Sequence, residues 1–118
     1  MKFDLDKEGL ETVLLPWQVE LMMWIWSLNG EVDSRMAHAH LQASETPMSR
    51  ATAINFLNVM AEQGFLAYRE VTTKGGWKRL YWPSEIAPDE GAFRRIMAER
   101  IVDKARKELA KPTLGRSK

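Results

Sequence analysis

Three polar residues, Arg50, Asn55 and Asn58, point away from an apolar set, Ala53, Phe56, Leu57 and Met60, that recurs at helical spacing. Arginine presents a planar fork that matches the N7 and O6 acceptors of guanine, and a carboxamide matches the N6 and N7 edge of adenine. Such a face has the chemistry to read bases in a major groove. A solvated helix surface uses the same residue types, so the surrounding architecture must separate the two readings. Just ahead, Ser49 and Thr52 stand three apart. Their hydroxyls can cap a helix or, with the free amides of its first turn, meet a phosphate. Further on, Lys74, Lys78 and Arg79 surround Gly75-Gly76. These cations can neutralise phosphates or simply keep a hairpin soluble.

Other chemistries fit less well. Gly75-Gly76 is better explained by a tight turn than by a phosphate nest, because no glycine-lysine-serine loop surrounds it. His38 and His40, two apart on a helix, point to different sides, and no carboxylate four residues on completes a metal site. The chain has no cysteine, which excludes a disulfide framework, a thiolate metal site and a cysteine nucleophile. Neither histidine sits in a serine–aspartate motif, and no catalytic pair stands out among the sixteen acidic residues. No cofactor and no enzyme activity is expected. Of the five tryptophans, Trp17, Trp24 and Trp26 share one apolar helix and belong to core or interface, whereas Trp77 falls at a hairpin tip and is expected to be exposed.

The elements that would position these groups follow in order along the chain. Residues 1–15 are a leader whose Leu5, Leu10, Val13, Leu14 and Leu15 can dock on the body. Pro16 opens a first helix that runs to Leu28, with a left-handed stop expected at Asn29-Gly30. Val19, Met22, Met23 and Trp26 form one apolar stripe on it, and Leu21, Trp24, Ile25 and Leu28 form another. Asp33 caps a second helix through about Ala43, with Met36, Ala37, Ala39 or His40, and Leu41 as candidates for its buried side. Ser49 opens a third helix that Gly64 ends. The runs Phe65–Val71 and Lys78–Trp82, joined by residues 72–77, predict a β-hairpin. A long amphipathic helix follows from Pro88 to about Ala110, with Phe93, Ile96 or Met97, Ile101, Ala105 and Leu109 on its apolar side. The tail 111–118 is polar and expected to be frayed.

At 118 residues, 45% hydrophobic and 28% charged, the chain fits one globular domain. Its longest apolar stretch, Val19 to Leu28, is too short for a membrane span, and its first residues lack an apolar signal region, so a cytoplasmic protein without a membrane partner is expected. The net charge of +1 hides an asymmetry. Up to Glu62 there are four Lys/Arg against nine Asp/Glu, and beyond it thirteen against seven. A face that meets a polyanion would segregate charge in this way, and so would a solvated basic helix.

Three helices and then a hairpin make the layout of a winged helix. The residues also resemble a known family. Gln18-Val19-Glu20-Leu21-Met22-Met23-Trp24-Ile25-Trp26 looks like the first-helix signature of the penicillinase repressor (BlaI/MecI/CopY-like) winged-helix regulators, with Glu20, Leu21, Met22, Ile25 and Trp26 fitting. Ser49-Arg50-Ala51-Thr52, then Phe56, Leu57, Met60 and Gly64-Phe65-Leu66, is similar to that family's recognition helix and its exit into the wing, and Tyr81 and Pro83 resemble its wing-closing pair. The match covers roughly residues 15–84. It implies a dimeric repressor with a helical C-terminal dimerisation segment. The copper-sensing branch of that family uses cysteines, which this chain lacks.

The expected fold class is therefore mostly α (α+β), a winged helix-turn-helix with a β-hairpin wing and a long C-terminal helix. Its expected parts are a leader (1–15), a winged-helix DNA-binding domain (16–84), a C-terminal dimerisation helix (85–110) and a tail (111–118). The expected function is sequence-specific binding of double-stranded DNA by a homodimer that occludes a palindromic operator and so represses transcription. Arg50, Asn55 and Asn58 would read bases, and Ser49, Thr52, Lys74, Lys78 and Arg79 would hold the backbone. Trp24, Phe93, Met97, Ile101 and Leu109 would form the dimer contact. The competing expectation is a winged helix that docks a protein partner and reads no DNA, because fold alone does not decide function.

Overall fold

The computed structural model describes residues 3–112, in the order α1 (Pro16–Ser27), α2 (Ser34–Gln42), α3 (Arg50–Glu62), β1 (Leu66–Thr73), β2 (Gly76–Pro83) and α4 (Glu90–Ala110). Pro16 occupies the first helical position of α1, where its missing N–H costs nothing, and the Gln18 side chain accepts a hydrogen bond from the Leu15 amide at 2.9 Å. The left-handed stop expected at Asn29-Gly30 is not used. Leu28 is already extended (φ −85°, ψ 139°), and neither Asn29 nor Gly30 has a positive φ. The chain instead runs out towards Val32, which exchanges two backbone hydrogen bonds with Tyr81 at 2.9 and 2.7 Å and adds a one-residue third rung beside the hairpin.

Asp33 caps α2 by accepting the Met36 amide at 2.8 Å. The buried side of α2 is narrower than expected, with Ala37 and Leu41 buried and Met36 and Ala39 exposed. Ser49 caps α3 through the Thr52 amide at 3.1 Å. Gly64, at φ +87°, ends α3 with the paired bonds Gly64 N–H to Ala61 C=O and Phe65 N–H to Met60 C=O. That Schellman geometry needs a left-handed residue, which glycine supplies without steric cost, and it turns Phe65 straight into the core. The hairpin is longer than its predicted runs. Thr73 pairs with Gly76, so only Lys74-Gly75 connects the strands, because Thr72 and Trp77 pair across them instead of forming loop.

The core gathers Leu21, Met22 and Ile25 of α1, Leu41 of α2, Leu57 and Met60 of α3, Phe65, and Phe93 of α4. A 3-10 turn at Gly9–Thr12 docks the leader through Leu10, Val13 and Leu14, while Leu5 and Leu15 remain exposed. Helix α4 starts two residues after Pro88, where Asp89 accepts the Ala92 amide at 2.8 Å. Only its first turns are anchored, and residues 102–112 are all exposed; the described chain measures 62 × 29 × 27 Å. Among the described residues no helix is long and apolar enough to cross a membrane. Of the polar tail, residues 113–118 lie outside the described residues.

Candidate nucleic-acid interface

Burial of Ala53, Phe56, Leu57 and Met60 fixes the rotation of α3 and leaves Arg50, Ala51, Asn55, Val59 and Glu62 exposed on the opposite side. The face is small in side-chain volume, and Arg50 is its one cation. At its N-terminal end the Ser49 hydroxyl accepts the Thr52 amide and donates to Thr52 Oγ1 at 2.9 Å. Ser49 is thereby spent on capping, whereas the Thr52 hydroxyl still has a proton to donate.

The register of the hairpin sorts its residues onto two faces. Tyr68, Glu70, Thr72, Trp77, Arg79 and Tyr81 share the face that meets α3. There Asn58 Oδ1 accepts the Tyr81 hydroxyl at 2.6 Å and Arg79 Nη1 at 3.1 Å. A guanidinium can only donate, so the atom facing it must be the amide oxygen. Asn58, expected as a base reader, is instead half-buried and joins the wing to α3. Arg79, expected on a phosphate, lies 4.3 Å above the Tyr68 ring and 3.4 Å from Glu70 Oε2. Burial pushes the Tyr81 hydroxyl up from the usual tyrosine value, and the neighbouring Arg79 charge offsets only part of that rise.

On the opposite face Lys78, also expected on a phosphate, pairs with Asp33 Oδ2 at 2.8 Å. Burial pushes the Asp33 carboxyl up, but the Lys78 ammonium and the Met36 and Arg35 amides outweigh it and hold the group below the ordinary aspartate value. Arg69 forks onto Glu31 at 2.8 and 2.9 Å, and that hydrogen-bonded pairing keeps the Glu31 carboxyl low. The hairpin strands and their connection carry four Lys/Arg against one acid. Two of those cations are matched by acids from before α2, so part of the charge segregation along the chain cancels within the fold. Lys74, at the tip, makes no ion pair among the described residues.

The residues expected at a dimer contact divide in two. Trp24 stacks on His40 of its own chain at 4.3 Å and 11°, with His40 Nε2 held 2.7 Å from Glu20. Phe93 is fully buried, edge-on to Phe65 at 4.6 Å and 5.6 Å from Trp26, whose ring N–H donates to the Ala87 carbonyl at 3.3 Å. Trp24 of the second apolar stripe of α1 is thus covered by α2, and Trp26 of the first by the start of α4, within one protomer, so the Trp24 and Phe93 rings are engaged inside their own chain. Met97 and Ile101 are half-buried beside an apolar groove under the leader, and Leu109 is 85% exposed. His38 hydrogen-bonds Gln42 at 2.8 Å, so the two histidines do diverge.

This geometry can be set beside known proteins. A crystal structure of a PadR-family transcriptional regulator from Eggerthella lenta DSM 2243 superposes with a TM-score of 0.53 at 17% identity, covering 80% of this chain and 84% of that one. The fold is that of a winged helix. At that identity the likeness speaks for the fold alone, and the finer resemblance to penicillinase repressors rests on the motifs already quoted. No protein-family model matches the chain, and no curated protein matches it. Sequence reasoning missed the Asn58–Arg79–Tyr81 node and the Asp33–Lys78 pair. The period of two along β2 was the available signal for the node, since it places Arg79 and Tyr81 on one face.

Proposed function

We propose that this protein binds double-stranded DNA in a sequence-specific way, with α3 in the major groove and the wing beside it, and that it regulates transcription as a homodimeric, cytoplasmic repressor that occludes a palindromic operator. The observation that carries this reading is the outer face of α3, where Arg50 and Asn55 stand open beside Ala51 while the helix is held to the wing through Asn58. Arg50 and Asn55 would read bases, the first-turn amides and the Thr52 hydroxyl would meet a phosphate, and Lys74 would meet another. The dimer contact would use α4 from its second turn outward, through Met97, Ile101 and Leu109.

The test is selection of duplexes from a random-sequence library, followed by salt-titrated binding of the winning duplex and a scrambled control. Affinity should fall with salt with a slope of about −0.9 per neutralised phosphate. Asn55→Ala and Arg50→Ala should each lose about 1–3 kcal/mol of discrimination while folding survives. If both keep the wild-type ratio of specific to scrambled affinity, α3 is not the reader. One observation favours the second reading, a protein-docking winged helix: the outer face of α3 has a single cation, and three of the four wing cations are paired internally. Failure to enrich any duplex would decide for it.

A further inference from the structure

A cleft of about 400 Å³ opens between Trp26 and Leu28 at the end of α1, residues 29–31, the wing root at Trp82 and Pro83, and Pro88 ahead of α4. Trp82 belongs to the face of the hairpin turned away from α3. The backbone explains why the cleft is there. Tyr81 turns both its N–H and its C=O to Val32, so the next rung of that ladder would pair Gly30 with Pro83. Proline has no N–H, and the rung cannot close. The chain bends instead at Asn29-Gly30, and Gly30 makes no backbone hydrogen bond among the described residues. On the other side of the strand Ser84 N–H donates to the Phe65 carbonyl at 3.1 Å. Ser84 therefore faces β1, and by the alternation of a strand the Pro83 carbonyl faces the cleft.

We propose that this cleft binds a small organic cation, an ammonium group carried on an apolar body. Glu31 is the one charged residue on its walls, and no Lys or Arg lines it, so an anion would be brought against a carboxylate. Arg69 holds the two Glu31 oxygens at 2.8 and 2.9 Å, which keeps the group ionised and leaves each oxygen a further lone pair for a second donor. The ammonium donates to Glu31 and to the Pro83 carbonyl, and the half-buried indoles of Trp26 and Trp82 add the attraction of a π-system for positive charge. The body lies against Leu28 and Pro88 and gains from the apolar surface it covers. Pockets for small molecules run from about 300 to 1,000 Å³, so this cleft suits a body of one or two rings. It lies on the side away from α3, so occupancy leaves the outer face of that helix open, and the inference is independent of the DNA-binding reading.

The test uses the full chain without DNA and three probes of similar shape at constant ionic strength: 2-phenylethylamine, cationic at neutral pH, 2-phenylethanol, neutral, and 3-phenylpropanoate, anionic. Binding is followed through the indole N–H resonances in proton–nitrogen correlation spectra, with those of Trp26 and Trp82 assigned by Trp26→Phe and Trp82→Phe. The amine should shift both, with half-saturation of the order of 1 mM, and leave unmoved the resonance of Trp77, which is 63% exposed on the α3-facing side of the hairpin. The alcohol should bind about tenfold more weakly, and the carboxylate more weakly still. Glu31→Gln should weaken the amine about fivefold or more and leave the alcohol unchanged. Trp82→Ala should weaken both; if it fails to fold, Glu31→Gln carries the test, since it removes only an exposed ion pair. Equal affinity for amine and alcohol, a preference for the carboxylate, or an unchanged amine affinity in Glu31→Gln overturns the assignment to a cation. Amine shifts confined to tryptophans outside the cleft, or no shift at all, overturn the site.

Discussion

Helices α3 and α4 both carry an apolar stripe, yet they are stabilised in opposite ways. All four stripe residues of α3 are buried, and its free face carries only one cation, Arg50, and one acid, Glu62. In α4 only Ala92 and Phe93 are buried, the stripe is half covered at Ile96, Met97 and Ile101, and everything beyond is exposed and densely charged with i,i+4 pairs such as Lys104–Glu108 and Lys107–Asp103. A helix held only at its base is stabilised by its own turns and by whatever covers its far half. Most of the positive charge in the second half of the chain sits in the wing and α4, away from the helix proposed to read bases. The proposal of α3 as the reading helix therefore rests on the steric openness of its outer face and not on charge density.

The sharpest way to break this comparison is at the base of α4. Phe93→Ala removes a fully buried ring that touches Phe65 and Trp26, and it should cost about 3–5 kcal/mol in chemical denaturation. Leu109→Ala, on the same helix, should leave the stability of the protomer unchanged. A loss below about 1 kcal/mol in Phe93→Ala would mean that α4 is not anchored as described. Placing a charge at the far end probes the other half of the contrast. Leu109→Glu should weaken self-association by about tenfold or more, since a two-fold interface counts each substitution twice and a buried leucine is worth about 1.5–3 kcal/mol. Sedimentation equilibrium checks it, and unchanged association would move the dimer contact off distal α4.

A smaller effect separates two asparagines three residues apart on α3. Asn55 is exposed and its side chain makes no hydrogen bond among the described residues, whereas the Asn58 side chain accepts from both Tyr81 and Arg79. Asn58→Ala should cost about 1–2 kcal/mol of stability, and Tyr81→Phe about 1 kcal/mol. Asn55→Ala should lose no stability and act on DNA discrimination alone. Equal stability losses in Asn55→Ala and Asn58→Ala would remove the distinction between a residue that reads and one that holds.

The order and type of the four α-helices and two strands could be read from the sequence because each is marked locally: Pro16 at a helix start, Asp33 and Ser49 at caps, Gly64 at a Schellman stop, and two extended runs flanking a glycine tip; the 3-10 turn at Gly9–Thr12 carried no such mark. The two boundary errors share a cause. Asn29-Gly30 has the composition of a left-handed stop, but the bridge between Val32 and Tyr81 pulls the chain straight, and residues 72–77 have the composition of a loop, but cross-strand pairing claims them. Both depend on contacts between residues far apart in the chain. The candidate site was half legible for the same reason. Helical periodicity separates Arg50 and Asn55 from the core, but it cannot say that Tyr81, 23 residues on, takes Asn58, or that Asp33 takes Lys78 from 45 residues away.

The smallest expected effect tests that last pair. Asparagine caps a helix about as well as aspartate, so Asp33→Asn should keep α2 and lose only the attraction to Lys78, at a cost under about 1 kcal/mol at neutral pH because the lysine is half exposed. The sign of its pH dependence follows from the carboxyl being held below its ordinary value of 3.8 in the folded chain. Between that value and the lower folded one, the unfolded chain binds more protons, so the contribution of the pair is whole above about pH 3.8 and is lost as pH falls through the folded value. Subtracting the Asp33→Asn curve from wild type removes the parallel losses expected from Glu31 and Glu108, whose carboxyls are also held low. In urea titrations at a series of pH values the two proteins should differ at neutral pH and converge in acid. A difference that persists below that window would mean the asparagine disturbs the α2 cap itself, and the wing root would then be held by the cap and the Val32–Tyr81 bridge without help from Lys78.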